Sequence, residues 1–87
     1  MTWLDILMGL LCQIYQQYGG DCDELLPTPK DAAGQVLAAI SPISPVPPDV
    51  TDLKAQLADM QLDPEYQTVL SGADRVAINN LVVGLPS

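Results

Sequence analysis

The residues of this chain best equipped for chemistry are Cys12, Cys22 and the acidic run Asp21, Asp23 and Glu24. Thiolates attack electrophiles or bind soft metals, and closely spaced carboxylates hold calcium or move protons. What is missing limits each of these roles. The 87 residues include no histidine, which removes the commonest general base, the commonest metal ligand and every histidine-dependent triad. Without a neighbouring base, Cys12 and Cys22 are poor nucleophiles. The run from Asp21 opens like a calcium loop and then departs from one. Leu25 stands where a third oxygen ligand belongs, no glycine follows in the required place, and Ala32 occupies the twelfth position. Gly19-Gly20 lacks the strand, the later glycines and the lysine of a phosphate loop. The sequence therefore reads as a non-enzyme, with no catalytic, cofactor-binding or metal-ligating residue.

Two cysteines do not make a disulfide framework. A Cys12–Cys22 bridge is sterically conceivable if the chain doubles back at Gly19-Gly20. Isolated buried thiols are commoner in an intracellular protein and are the expectation here. The matching expectation for location is intracellular or within a virion, rather than secreted.

Charge excludes further classes. Eleven acids face only Lys30, Lys54 and Arg75, for a net charge of −8. Binding to phosphate backbones needs clustered Lys or Arg, so nucleic acid is not an expected partner. Anionic lipid is excluded on the same ground. Asp5, Asp31, Asp52, Asp63, Glu65 and Asp74 fall where helices should begin, and negative charge there offsets the helix dipole. Asp21, Asp23, Glu24, Asp49 and Asp59 are left without that explanation. An acidic coat aimed at a basic partner is the functional alternative to ordinary solvation.

These side chains need elements to position them, and the first is the most distinctive. The stretch 2–18, TWLDILMGLLCQIYQQY, places Leu4, Leu7, Leu11, Ile14 and Tyr18 at spacings of three and four, one face of a helix. Trp3, Ile6, Met8, Leu10, Cys12 and Tyr15 widen the apolar arc to about 240° at about 100° per residue. A surface helix ordinarily needs only a little over about 100°. Such an arc asks to be covered on nearly three sides. The stretch has no positive n-region and too few apolar residues to span a bilayer, so a membrane role is not expected.

One start signal recurs along the chain. Thr2-x-x-Asp5, Thr28-x-x-Asp31 and Ser71-x-x-Asp74 are capping-box variants, in which hydroxyl and carboxylate each take an orphan backbone N–H. Asp49 to Asp52 and Asp63-Pro64 add two more starts. The spacing predicts a second helix over 28–40, with Ala33, Val36, Leu37 and Ile40 inward. A third over 50–62 turns Val50, Leu53, Leu57 and Met60 inward. A short fourth to about 71 offers Tyr66, Val69 and Leu70. The segment 73–83 fits a helix burying Val76, Ala77, Leu81 and Val82, with a hairpin turning at Asn79-Asn80 over 76–83 as the alternative. Residues 41–48 hold four prolines and predict an extended polyproline connection. The expected architecture is all-α: a single small domain over 1–87, a bundle of four to five short helices in two halves, 1–40 and 49–87.

A short, strongly acidic, multi-helix chain resembles acyl carrier proteins in outline. Those proteins carry an Asp-Ser pair at a helix start for the phosphopantetheine arm, and no Asp-Ser pair occurs here. The resemblance therefore brings no function with it. Asp21…Leu25-Leu26 matches an acidic dileucine pattern, and 42–45 and 45–48 match PxxP; both are common by chance and read as connectors.

What remains is contact with protein. An arc wider than a few short helices can cover predicts an apolar docking surface on the first helix, formed by Trp3, Leu4, Leu7, Met8, Leu11, Ile14, Tyr15 and Tyr18. The expected role is an accessory or assembly subunit, viral or bacterial, whose partner is another protein or a second copy. The alternative is an acidic inhibitor or immunity-type protein seated on a basic site.

Overall fold

The computed structural model describes residues 2–40 and 48–85. Five α-helices run in the order α1 Trp3–Gln17, α2 Pro29–Ile40, α3 Thr51–Met60, α4 Pro64–Val69 and α5 Gly72–Gly84. A 3-10 turn, Cys22–Glu24, lies between α1 and α2. No strand occurs among the described residues, so the all-α class holds and 76–83 is helix rather than hairpin. The extended connection expected over 41–48 lies, except for Pro48, outside the described residues.

The helix starts are built as local chemistry dictates. Asp5 N–H donates to Thr2 Oγ1 (3.2 Å) and Thr2 N–H donates to Asp5 Oδ2 (3.3 Å), closing a capping box. Ser71 and Asp74 repeat it at the start of α5. The third expected box does not form. Thr28 Oγ1 instead donates directly to Asp31 Oδ2 (2.7 Å), and the Lys30 N–H of the first turn of α2 donates to Asp74 Oδ1 (3.1 Å). One carboxylate thus serves the first turns of two helices. At α4, Asp63 accepts from Glu65 N–H and Pro64 takes the first helical position, where its missing N–H costs nothing.

Helix α1 ends in a Schellman arrangement. Gly20 N–H donates to Tyr15 O and Gly19 N–H to Gln16 O, with Gly19 left-handed at φ 84°. The ring of Tyr15 covers Gly20 so closely that a β-carbon there would collide with it.

Helix α2 packs most extensively on α5 and next on α1, while α3 packs on α1 and, to a lesser extent, α5. Lys30 meets Asp74 at one end, and Leu37 closes on Gly84 at the other, so α2 and α5 run side by side in the same direction. A β-carbon at Gly84 would lie 2.8 Å from Leu37 Cδ1, so glycine permits that approach. One core results, drawing Leu7, Leu11, Ile14, Ala33 and Val36 from before the proline-rich stretch and Val50, Leu57, Ile78 and Leu81 from after it. The radius of gyration is 12.0 Å, matching the value of about 12 Å for a compact chain of this length.

Two inward assignments fail. Val69 is 46% exposed and Val76 61%. Helix α5 buries Ile78 and Leu81, with Ala77 and Val82 at the edges and Leu85 buried just past its end. The buried face is turned by roughly 50° from the sequence pattern, because Ile78 takes the inward place and Val76 sits on the far side.

Tyr66 ties the short α4 into this frame. Its ring meets Trp3 edge-on (centroids 6.4 Å, 69°), and its hydroxyl donates to Arg75 O at 2.9 Å. At the opposite end of the bundle, Lys54 Nζ donates to Leu85 O (2.9 Å), placing a cation at the negative end of α5.

Candidate functional site

The arc of α1 is mostly satisfied from within. Leu7, Leu11 and Ile14 are 0% exposed and Leu10 is nearly so. The small residues Ala32 and Ala33, both fully buried, let the α2 backbone come close. Leu7, Leu11 and Ile14, expected among the partner contacts, are therefore spent on the chain's own core. Sequence reasoning undercounted the cover available, because α3 and α5 reach the core from beyond the proline-rich stretch and a covalent bond secures the segment after α1. Trp3, Leu4, Met8, Tyr15 and Tyr18 keep part of their surface. Ile6, on the other edge of the arc, is half exposed.

That covalent bond corrects the expectation of isolated thiols. Cys12 and Cys22 form a disulfide with Cα atoms 5.2 Å apart, inside the normal range. The left-handed turn at Gly19 reverses the chain just past α1 and returns Cys22 beside Cys12. Gln35 of α2 holds the same segment from the other side: Leu26 N–H donates to its Oε1 (2.7 Å) and its Nε2 donates to Glu24 O (2.9 Å). The signal for Gln35 is invisible locally, since its partners lie 9 and 11 residues away.

The carboxylates show a second organisation. At about 100° per residue, Asp52, Gln56 and Asp59 fall within roughly 60° on α3, and all are exposed. Asp49 and Asp63 continue the 3-4-3-4 spacing just beyond its two ends and are also exposed. Val50 and Leu57 are buried on the opposite face. Lys54 points away from the acidic row, since its ammonium is committed to Leu85 O. Asp49 accepts the Thr51 N–H (3.1 Å), and this hydrogen bonding holds its carboxyl below the usual range. Asp21, counted as unexplained by helix starts, likewise accepts from Asp23 N–H and caps the 3-10 turn. Capping thus accounts for both Asp21 and Asp49 and leaves Asp23, Glu24 and Asp59 as charges that no helix start requires, beyond the dipole contribution of Asp23 and Glu24 to their own turn.

No group of three His, Cys, Asp or Glu that could hold a metal ion is found among the described residues, and none of their helices is long and apolar enough to cross a membrane. Among the described residues one buried side-chain polar atom is unsatisfied. Tyr18 Oη has no hydrogen-bond partner, and burial pushes its phenol above the ordinary value.

Comparison with protein-family models, with curated proteins and with solved structures gave no match to this chain.

Proposed function

We propose that this chain is a non-catalytic binding protein whose acidic α3 face seats on a basic site of a target protein, in the manner of an inhibitor or immunity protein. The exposed carboxylates of α3 carry this reading: Asp52 and Asp59 share one face, turned away from Lys54, and Asp49 and Asp63 lie exposed just beyond the two ends. Complementary charge of this kind steers encounter and sets specificity. It fits the burial of Leu7, Leu11 and Ile14, which takes the centre of the α1 arc away from the rival mode. The Cys12–Cys22 bridge favours an oxidising compartment as the place of action, because such bonds persist there.

Affinity capture from the source organism, with cross-linking to locate the contact, tests the proposal. The partner should cross-link to α3, elute as ionic strength rises from about 0.05 M to about 0.5 M, and be lost with Asp52→Asn/Asp59→Asn. The second reading is an accessory or assembly protein docking through the rims of α1, supported by partly covered Leu4, Met8 and Tyr15 on one edge and half-exposed Ile6 on the other. It predicts a salt-insensitive complex, lost with Ile6→Lys or Met8→Lys and indifferent to the α3 substitutions. If a second copy is the partner, light scattering of the isolated chain will show a dimer.

A further inference from the structure

We propose that residues 19–28 form a redox-held strap, fastened across one flank of α1 by the Cys12–Cys22 bond and released when that bond is reduced. This does not depend on which partner the protein binds. No side chain from 19 to 28 is fully buried; Leu25 and Cys22 are half-buried, and Asp21, Asp23, Glu24, Leu26 and Pro27 are exposed. The strap therefore adds little to the continuous core formed by the helices: of its residues only Leu25 packs against that core, and it does so half-buried. Three attachments hold it: the disulfide to α1, the paired hydrogen bonds of Gln35 from α2, and the Tyr15 ring over Gly20. Only the first is covalent. The Gln35 bonds lie where water competes for both groups, so each adds little alone. Gly19, already left-handed, supplies a pivot at the end of α1.

Reduction by a dithiol is balanced. The dithiol gives two electrons and two protons, forming its own S–S bond, while the Cys12–Cys22 bond breaks into two thiols. The freed strap then opens as a local unit and uncovers Cys12 and Tyr15, while α2, α3 and α5 keep their packing.

Hydrogen–deuterium exchange on the full chain, before and after treatment with dithiothreitol, tests this. Peptides spanning 19–28, which include the hydrogen-bonded amides of Asp23, Leu25 and Leu26, should exchange at least about tenfold faster on reduction. Peptides from α2, α3 and α5 should not change, and reoxidation with glutathione disulfide should restore the original pattern. Cys12→Ser/Cys22→Ser should reproduce the local gain without reductant. Gln35→Ala should speed exchange at Leu26 in oxidised protein, where Gln35 holds that amide, and change 19–28 little in reduced protein, where the strap is already open. Unchanged exchange in 19–28 on reduction would overturn the proposal. So would loss of protection across all helices together, since the bond would then be holding the whole fold.

Discussion

Asp74 does at one position what most helix caps need two residues to do. Its Oδ2 accepts the Ser71 N–H of its own capping box and its Oδ1 accepts the Lys30 N–H of α2, 44 residues away. Asp5 closes a similar box but reaches no second helix. Asp74→Ala should therefore cost about 2 kcal/mol and Asp5→Ala about 1 kcal/mol, read from urea unfolding followed by circular dichroism. Tyr18 has the opposite balance, since its hydroxyl is buried without a partner. Tyr18→Phe keeps the ring and removes the unsatisfied group, and should raise stability by about 1 kcal/mol; that would appear as a melting temperature higher by roughly 4–8 °C. The Thr2 and Ser71 boxes were legible in the sequence because both partners lie within one turn. The α2 start was legible too, at Thr28 or Pro29, but its bond to Asp74 was not, since that partner comes from the far half of the chain.

At the scale of elements, periodicity located every helix, and it failed only in phase or length. The centre of the α1 face was read correctly: Leu11 is fully buried and Gln13 is exposed. Leu11→Asp should cost more than about 4 kcal/mol, combining a lost core leucine with an unpaired buried charge, and should unfold so small a domain. Gln13→Ala should leave the dichroism spectrum and elution volume unchanged. Helix α3 gives a pH test. Hydrogen bonds from Thr51 lower the Asp49 carboxyl below its ordinary 3.8. A lowered value in the folded state means stability that is present above the ordinary carboxylate range and lost as pH falls through the folded value. The stability difference between the native chain and Asp49→Asn should thus be constant near neutrality and vanish in acid, as seen in urea midpoints taken at successive pH values. For α5, the Ser71 box decided in favour of helix over hairpin. The buried face was misphased because a short apolar run offers Val76 and Ile78 almost equally, and only packing against α2 selects Ile78.

For the molecule as a whole, the sequence made the fold class legible and left the partner open. The wide arc of α1 implied a shortage of cover. Single-element accounting cannot see that α2 and α5 form a parallel pair or that α3 closes over α1. Nor can spacing show that two cysteines ten residues apart are brought together, because the reversal depends on one left-handed glycine. With the core closed, the net charge of −8 becomes the most distinctive property of the surface.

The interleaving of the two sequence halves has a practical outcome. Neither 1–40 nor 48–87 can enclose α1 and α2 alone, because the residues that complete their core, Leu57, Ile78 and Leu81, belong to the other half. Severing the backbone between Ile40 and Pro48 should yield two peptides that are mostly unstructured apart and regain helicity when mixed in equal amounts. Attached to the halves of a divided reporter enzyme, such a pair would restore its signal on reassociation, and the Leu11→Asp peptide would leave it silent.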